Sequence, residues 1–164
     1  MIRFLKLALI AGVIAMSASS AAAQGVVMQK TLSLGLAKTI AEAAFAECHA
    51  KGFHTSVAVV DRAGQIMVIL RDEQSSAQTA EMARRKAYTA RMFRMTSMDW
   101  AKRTAPGEVY AAQRDVAEVL ALAGGVPIKS GDDVIGGVGS SGSSLEQDDA
   151  CAKAGVAKAA EQLK

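Results

Sequence analysis

The sequence has little of what holds very small or fibrous proteins together. Its 164 residues include two cysteines, two prolines and two histidines, and aromatics make up only 4%. Two cysteines exclude a disulfide-dense scaffold and a cysteine-rich zinc site. The scarcity of proline, with 51% hydrophobic and 21% charged residues, excludes a collagen-like or disordered chain. Several chemical templates are missing too: His-Glu-x-x-His, Cys-x-x-Cys, Gly-x-Ser-x-Gly and a phosphate loop ending in Gly-Lys-Ser/Thr. Gly137-Val-Gly-Ser-Ser-Gly142 has the glycine spacing of a dinucleotide loop, but it follows a late hairpin strand and no βαβ unit comes after it. Those glycines read instead as the junction between a sheet and the last helix, whose N-terminus can attract an anion.

The one long apolar run lies at the start. Met1 to Lys6 is a positive n-region, Leu7 to Met16 an apolar h-region, and Ala21-Ala22-Ala23 a small-residue cleavage site ahead of Gln24. The run is shorter than the ~20 residues a spanning helix needs, so residues 1–23 are expected to be a cleavable signal peptide. Residues 24–164 then form a single domain of 141 residues, long enough to bury a core without metal or disulfide. The expected location is the periplasm or the exterior, with no stable membrane span after signal removal. Once Arg3 and Lys6 are gone, 17 basic residues face 16 acidic ones, so the charge that would support nucleic-acid binding is lost.

An oxidising compartment allows Cys48 and Cys151 to form one bridge. Cys48 continues the inward row Leu36, Ile40, Ala44 of a predicted helix. Helix axes pack 8–10 Å apart whereas a disulfide wants Cα atoms near 5.5 Å, so the expectation is two small buried apolar residues rather than a bridge.

The elements follow from pattern. Ser33 to Lys51 reads as a helix capped by Ser33 and stopped by Gly52. Thr55-Ser-Val-Ala-Val-Val-Asp61 is apolar on both faces and suits a central strand, and Asp61-Arg-Ala-Gly64 turns it into a second strand over Gln65 to Arg71. A helix from Ser76 to Phe93 carries a narrow alanine face, and Val109 to Leu122 is predicted helical on propensity after the break at Pro106-Gly107. Val126 to Ser130 and Val134 to Gly139 form a second hairpin, with Pro127 tolerable only near a strand start or on an edge. Ser144-Leu-Glu-Gln147 is a capping box opening a helix to about Leu163. This order favours an α+β sandwich with a mainly antiparallel sheet flanked by helices.

Either histidine could ligate iron or shuttle a proton. The helix stop at Gly52 separates them, so they are not expected to converge on one metal. His49 suits the helix dipole, and His54 at the strand entry is the better ligand candidate. Arg84, Arg85, Lys86, Arg91, Arg94, Lys102 and Arg103 form the most biased stretch, with only Asp99 opposing them. They can pair with carboxylates or phosphates of an anionic ligand, or form a solvated helix face. Met82, Tyr88, Met92, Phe93, Met95 and Met98 are interleaved among them, an apolar wall edged by cations that suits an amphipathic tetrapyrrole or an ordinary core.

Five motifs in order, Leu32-Ser33-x-x-x-Ala37, Val57-Ala-Val-Val-Asp61-x-x-Gly64, Lys86-Ala-x-Thr-Ala90 through Phe93-x-x-Thr96, Gly124-Gly-x-Pro-Ile128, and Gly136-x-x-Gly139 before Glu146-x-Asp148, resemble the GlcG/HbpS-like haem-binding proteins. The resemblance covers nearly the whole mature chain. It implies a profilin-like α-β-α sandwich, assembly into homo-oligomers, and haem or a related tetrapyrrole as ligand. It also implies a haem-coordinating role for Thr96, and a basic site residue at Arg71. The sequence departs from the family pattern where Met95 replaces the usual proline, and where Arg71-Asp-Glu-Gln-Ser-Ser76 replaces a Met-Asp-Gly-Ala-Pro run.

The expected function is that of an exported haem-binding carrier, buffer or sensor accessory. The cofactor would contact His54, Arg71, Arg91, Arg94, Met95, Thr96 and Lys102, with iron met by His54, Thr96 or Met95. A haem-degrading enzyme and a non-catalytic interaction subunit of another exported protein are the alternatives. No positioned acid–base pair is visible in the sequence.

Overall fold

The most uniformly apolar segment becomes the most buried strand. In the computed structural model, which describes residues 25–164, all five residues of β1 (Ser56–Val60) are buried. The expected signal peptide lies outside the described residues. β1 pairs antiparallel with β2 (Ile66–Arg71) on one side and β4 (Asp133–Ser141) on the other, and β3 (Gly125–Ser130) completes the sheet in the order β2-β1-β4-β3. Pro127 sits in the edge strand β3, as a residue without an N–H requires. The first hairpin turn is held by Asp61, whose Oδ1 accepts from the Ala63 and Gln65 amides at 2.8 and 2.9 Å.

One face of the sheet is covered by α1 (Leu34–Ala50) and α4 (Leu145–Lys158), the other by α2 (Gln78–Phe93), with α3 (Ser97–Arg103) beside it. Alternation along β1 divides the two layers. Val57 and Val59 join Leu32, Ile40, Ala44, Ile128 and Val138 in the core under α1 and α4. On the α2 face, Gly137 and Gly139 of β4 let the helix backbone lie against the strand, because a Cβ at either would collide with the carbonyl of Ala87 or Ala83. The predicted caps form: Ser33 Oγ accepts from the Leu36 amide and Ser144 Oγ from the Gln147 amide, both at 3.2 Å. The reciprocal half of the second capping box does not, since the Gln147 side chain turns to Cys151 Sγ at 3.3 Å.

Two expectations are corrected. Cys48 and Cys151 are bridged, with Cα atoms 5.6 Å apart. The helices approach closely because Gly155 faces α1: a Cβ there would lie 2.6 Å from the Ile40 carbonyl oxygen and 2.9 Å from Ala44 Cβ. General helix spacing was the wrong guide for a contact made of glycine and alanine. The expected helix over 109–122 is also absent; the segment forms a 3₁₀ turn at Ala111–Asp115, a further turn through Glu118 and then irregular chain. The apolar spacing of Val109, Ala112 and Val116 finds no surface to pack on, Val109 and Val116 both being exposed, and a helix of this length needs a buried face. Side chains of α2 take its backbone groups instead. Arg85 donates to the Val119 carbonyl at 2.5 Å, and the Leu120 amide donates to Thr89 Oγ1 at 2.9 Å.

Candidate functional site

The structure distributes the candidate residues among three places. The first is an apolar cleft of about 470 Å³, where α3 meets the 121–123 segment and the start of α4. Met98, Ala101 and Ala105 form one wall, Leu122 and Leu145 face them, and Lys102 and Glu146 stand among them. Its size falls within the roughly 300–1,000 Å³ range of small-molecule sites. Thr96, two residues before Met98, caps α3: its Oγ1 accepts from the Asp99 amide at 3.1 Å and donates to Asp99 Oδ2 at 2.7 Å. Phe93 and Trp100 stack at 3.5 Å between ring centroids, fixing α3 to the end of α2.

The second place is a polar cleft of about 400 Å³ at the first hairpin turn, lined by Gln29, Thr31, Asp61, Arg62, Ala63 and Arg91. The Arg91 Nε is buried and makes no hydrogen bond. Burial lowers its pKa, and the neighbouring Arg62 and Arg94 add to the effect. Arg94 itself ends α2 in a left-handed conformation and is exposed.

The third place brings together the two histidines, correcting the expectation that Gly52 keeps them apart. Gly52, at φ +79°, turns the chain back on the helix: its amide donates to the His49 carbonyl at 2.9 Å and the Phe53 amide to the Cys48 carbonyl at 3.1 Å. The next residue, His54, therefore returns beside the last turn of α1. Both rings face Asp72, with His54 Nδ1 at 3.1 Å from Oδ1 and His49 Nδ1 at 3.6 Å from Oδ2. The Gln74 amide, first, and His54, second, hold the Asp72 carboxyl below its ordinary value. Arg71 precedes this group and donates to the Ser75 carbonyl at 2.6 Å.

The cation stretch is also divided. Arg84 pairs with Glu81 at 2.7 Å and with Glu118, and Arg103 lies over the Tyr110 ring at 4.2 Å. Lys86 is 1% exposed and reaches to the opposite layer, where its Nζ meets Asp148 Oδ2 at 2.7 Å and the Ser140 carbonyl at 3.0 Å. Burial lowers the Lys86 pKa, and Asp148 opposes the shift. This lysine belongs to the interior.

Sequence reasoning missed most of the apolar cleft. Met98, Ala101, Lys102 and Ala105 follow the i, i+3, i+4, i+7 spacing of one helix face, a signal masked by the Pro106-Gly107 break just beyond them. Leu122 and Leu145 carried no local signal, because only the fold brings them together. Asp72 was passed over as part of an atypical run.

The chain is thus an antiparallel α-β-α sandwich with an open apolar cleft beside α3. The family described as haem degrading protein HbpS-like matches residues 32–157, and the chain belongs to that family. The crystal structure of HbpS is similar with 35% identity and a TM-score of 0.77, covering 81% of this chain and 93% of that one. A PduOC:heme complex is similar with 25% identity and a TM-score of 0.74, over 79% of this chain and 95% of that one. A 15.0 kDa protein from the dhaT-dhaS intergenic region of Citrobacter freundii is 29% identical over 120 residues, 72% of this chain and 84% of its own length.

Proposed function

We propose that the protein is an exported haem-binding protein whose ligand lies in the apolar cleft beside α3. The observation that carries this reading is the cleft itself, open and largely apolar, with the Lys102 ammonium among its lining residues. The family and the similarity to a haem complex support the same ligand. The residues present fit an amphipathic macrocycle. Met98, Ala101, Leu122 and Leu145 would cover its faces, and Lys102 would meet a propionate. Among the lining residues Met98 offers the soft iron ligand; Met95 and Thr96 lie just before α3 and, like His54, Arg71, Arg91 and Arg94, do not line this cleft. Thr96 is already engaged at both its donor and acceptor sites, so coordination there would compete with the cap of α3. Bound haem would supply redox-active iron, and the protein would supply the apolar cleft and the cation that pairs with a propionate.

Export agrees with the leader-like N-terminus and with the Cys48–Cys151 bridge, which an oxidising compartment sustains. Exposed Ile66 and Ile69 on the edge strand β2 support self-association, which sedimentation analysis tests. Titration with hemin is expected to give a saturable Soret shift near one equivalent, weakened in Lys102→Glu. Absence of a saturable shift overturns the reading. The family's description favours haem breakdown as a second reading. It is distinguished by loss of the Soret band with release of chelatable iron, beyond that of free hemin under the same peroxide.

A further inference from the structure

We propose that His49, His54 and Asp72 form a binding site for a divalent first-row transition-metal ion, separate from the apolar cleft. The three come from the last turn of α1, the entry to β1 and the residue after β2, and one ligand atom from each lies within 4.8 Å of the others. Ligands held at 2.0–2.2 Å around a tetrahedral ion sit about 3.4 Å from one another. The separations to Asp72, 3.1 Å from His54 to Oδ1 and 3.6 Å from His49 to Oδ2, lie near that value, and all three ligand atoms stay within 4.8 Å, so side-chain rotation is what closing the site requires.

A simple hydrogen-bonded His–Asp group explains the arrangement less well. His54 Nδ1 is buried and near Asp72, yet it makes no well-directed hydrogen bond. Oδ1 of Asp72 already accepts from the Gln74 amide at 2.8 Å. His49 is too far for a hydrogen bond. The groups face a common point without satisfying one another, which is what a shared ion would complete.

The surroundings hold the ligands in place. Asp72 is 5% exposed and tied at both backbone groups, its amide donating to the Thr55 carbonyl and its carbonyl accepting from the Ser75 amide. His49 lies nearly parallel to Phe45, at 9° between planes and 6.3 Å between centroids. Lys51, the nearest cation along the helix end, is paired with Glu47 at 2.8 Å rather than with Asp72. With His49 64% exposed, the ion can enter from solvent and keep open positions for water. Two imidazoles and one carboxylate suit zinc, iron(II), cobalt or nickel, and disfavour magnesium and calcium.

The test uses untagged protein as the cell processes it, stripped of metal and free of haem. Zinc titration by calorimetry and cobalt titration by visible absorption are expected to show one site that magnesium does not occupy. His49→Ala and His54→Ala should each lower zinc affinity at least as much as loss of a supporting partner does, by 10-fold to 100-fold. Zinc should raise Tm in the wild type and not in the variants. His49 is exposed, so its variant should keep the metal-free circular dichroism and Tm of the wild type and serves alone if His54→Ala does not fold. Failure of the wild type to bind zinc overturns the proposal, as does undiminished binding in His49→Ala, or magnesium binding as tightly as zinc. Hemin titration of His49→Ala should match the wild type, so failure of this site is distinguishable from failure of the haem reading.

Discussion

The two faces of the sheet are closed by different means. Under α1 and α4, medium-sized aliphatic side chains fill the volume, and a disulfide ties the helices together. Under α2 there is little volume to fill: the backbone at alanines 83 and 87 lies on glycines 137 and 139, and a buried lysine crosses to the other layer. The first face tolerates adjustment because side chains can repack. The second is backbone against backbone and has no slack. Arg91 of α2 lines the polar cleft and α3 lines the apolar one, and no strand residue lines either.

The contrast can be broken from either side. The largest effect is expected for Cys48→Ala with Cys151→Ala, which frees a loop of 103 residues and should cost about 4–5 kcal/mol in denaturant unfolding. Lys86→Met leaves Asp148 buried without its cation and should cost about 3–4 kcal/mol, with partial recovery on adding Asp148→Asn. Recovery will be partial because the Ser140 carbonyl also loses its Lys86 donor, whereas an amide oxygen at position 148 still accepts from the Ser143 amide and hydroxyl. Gly139→Ala forces α2 off the strand and should cost about 2–3 kcal/mol, whereas Ala152→Gly in the opposite layer should cost about 1 kcal/mol. Thr96→Ala removes the α3 cap and should cost about 1 kcal/mol, measured on haem-free protein.

The smallest effect is on acid stability. The Asp72 carboxyl is held below its ordinary value of 3.8, so its contribution is whole above that pH and lost as pH falls through the lowered value. Asp72→Asn should flatten that limb of the stability curve.

What could be read in advance follows the same division. β1 was legible because it is apolar on both faces, and α1 because Ser33 and Gly52 mark its ends. The α+β order was legible too, and of the two places open to Pro127, a strand start or an edge, the structure uses the edge. Lys86 was not, because a cation in a basic stretch gives no sign that Asp148, 62 residues later, will meet it in the interior. The region after Arg94 failed because propensity favoured a helix at 109–122, while the actual helix, only seven residues long, lies earlier at Ser97–Arg103. The histidine pair failed for a local reason: Gly52 was read as a separator, although a left-handed residue folds the chain back over the turn it ends.

The bridge between Cys48 and Cys151 encloses every strand of the sheet in one covalent ring. A protease that cuts the exposed 107–118 segment would therefore leave a single molecule rather than two fragments. On a gel, the nicked protein would run as one band without reductant and as two with it. Damage at that surface is thereby uncoupled from loss of the chain.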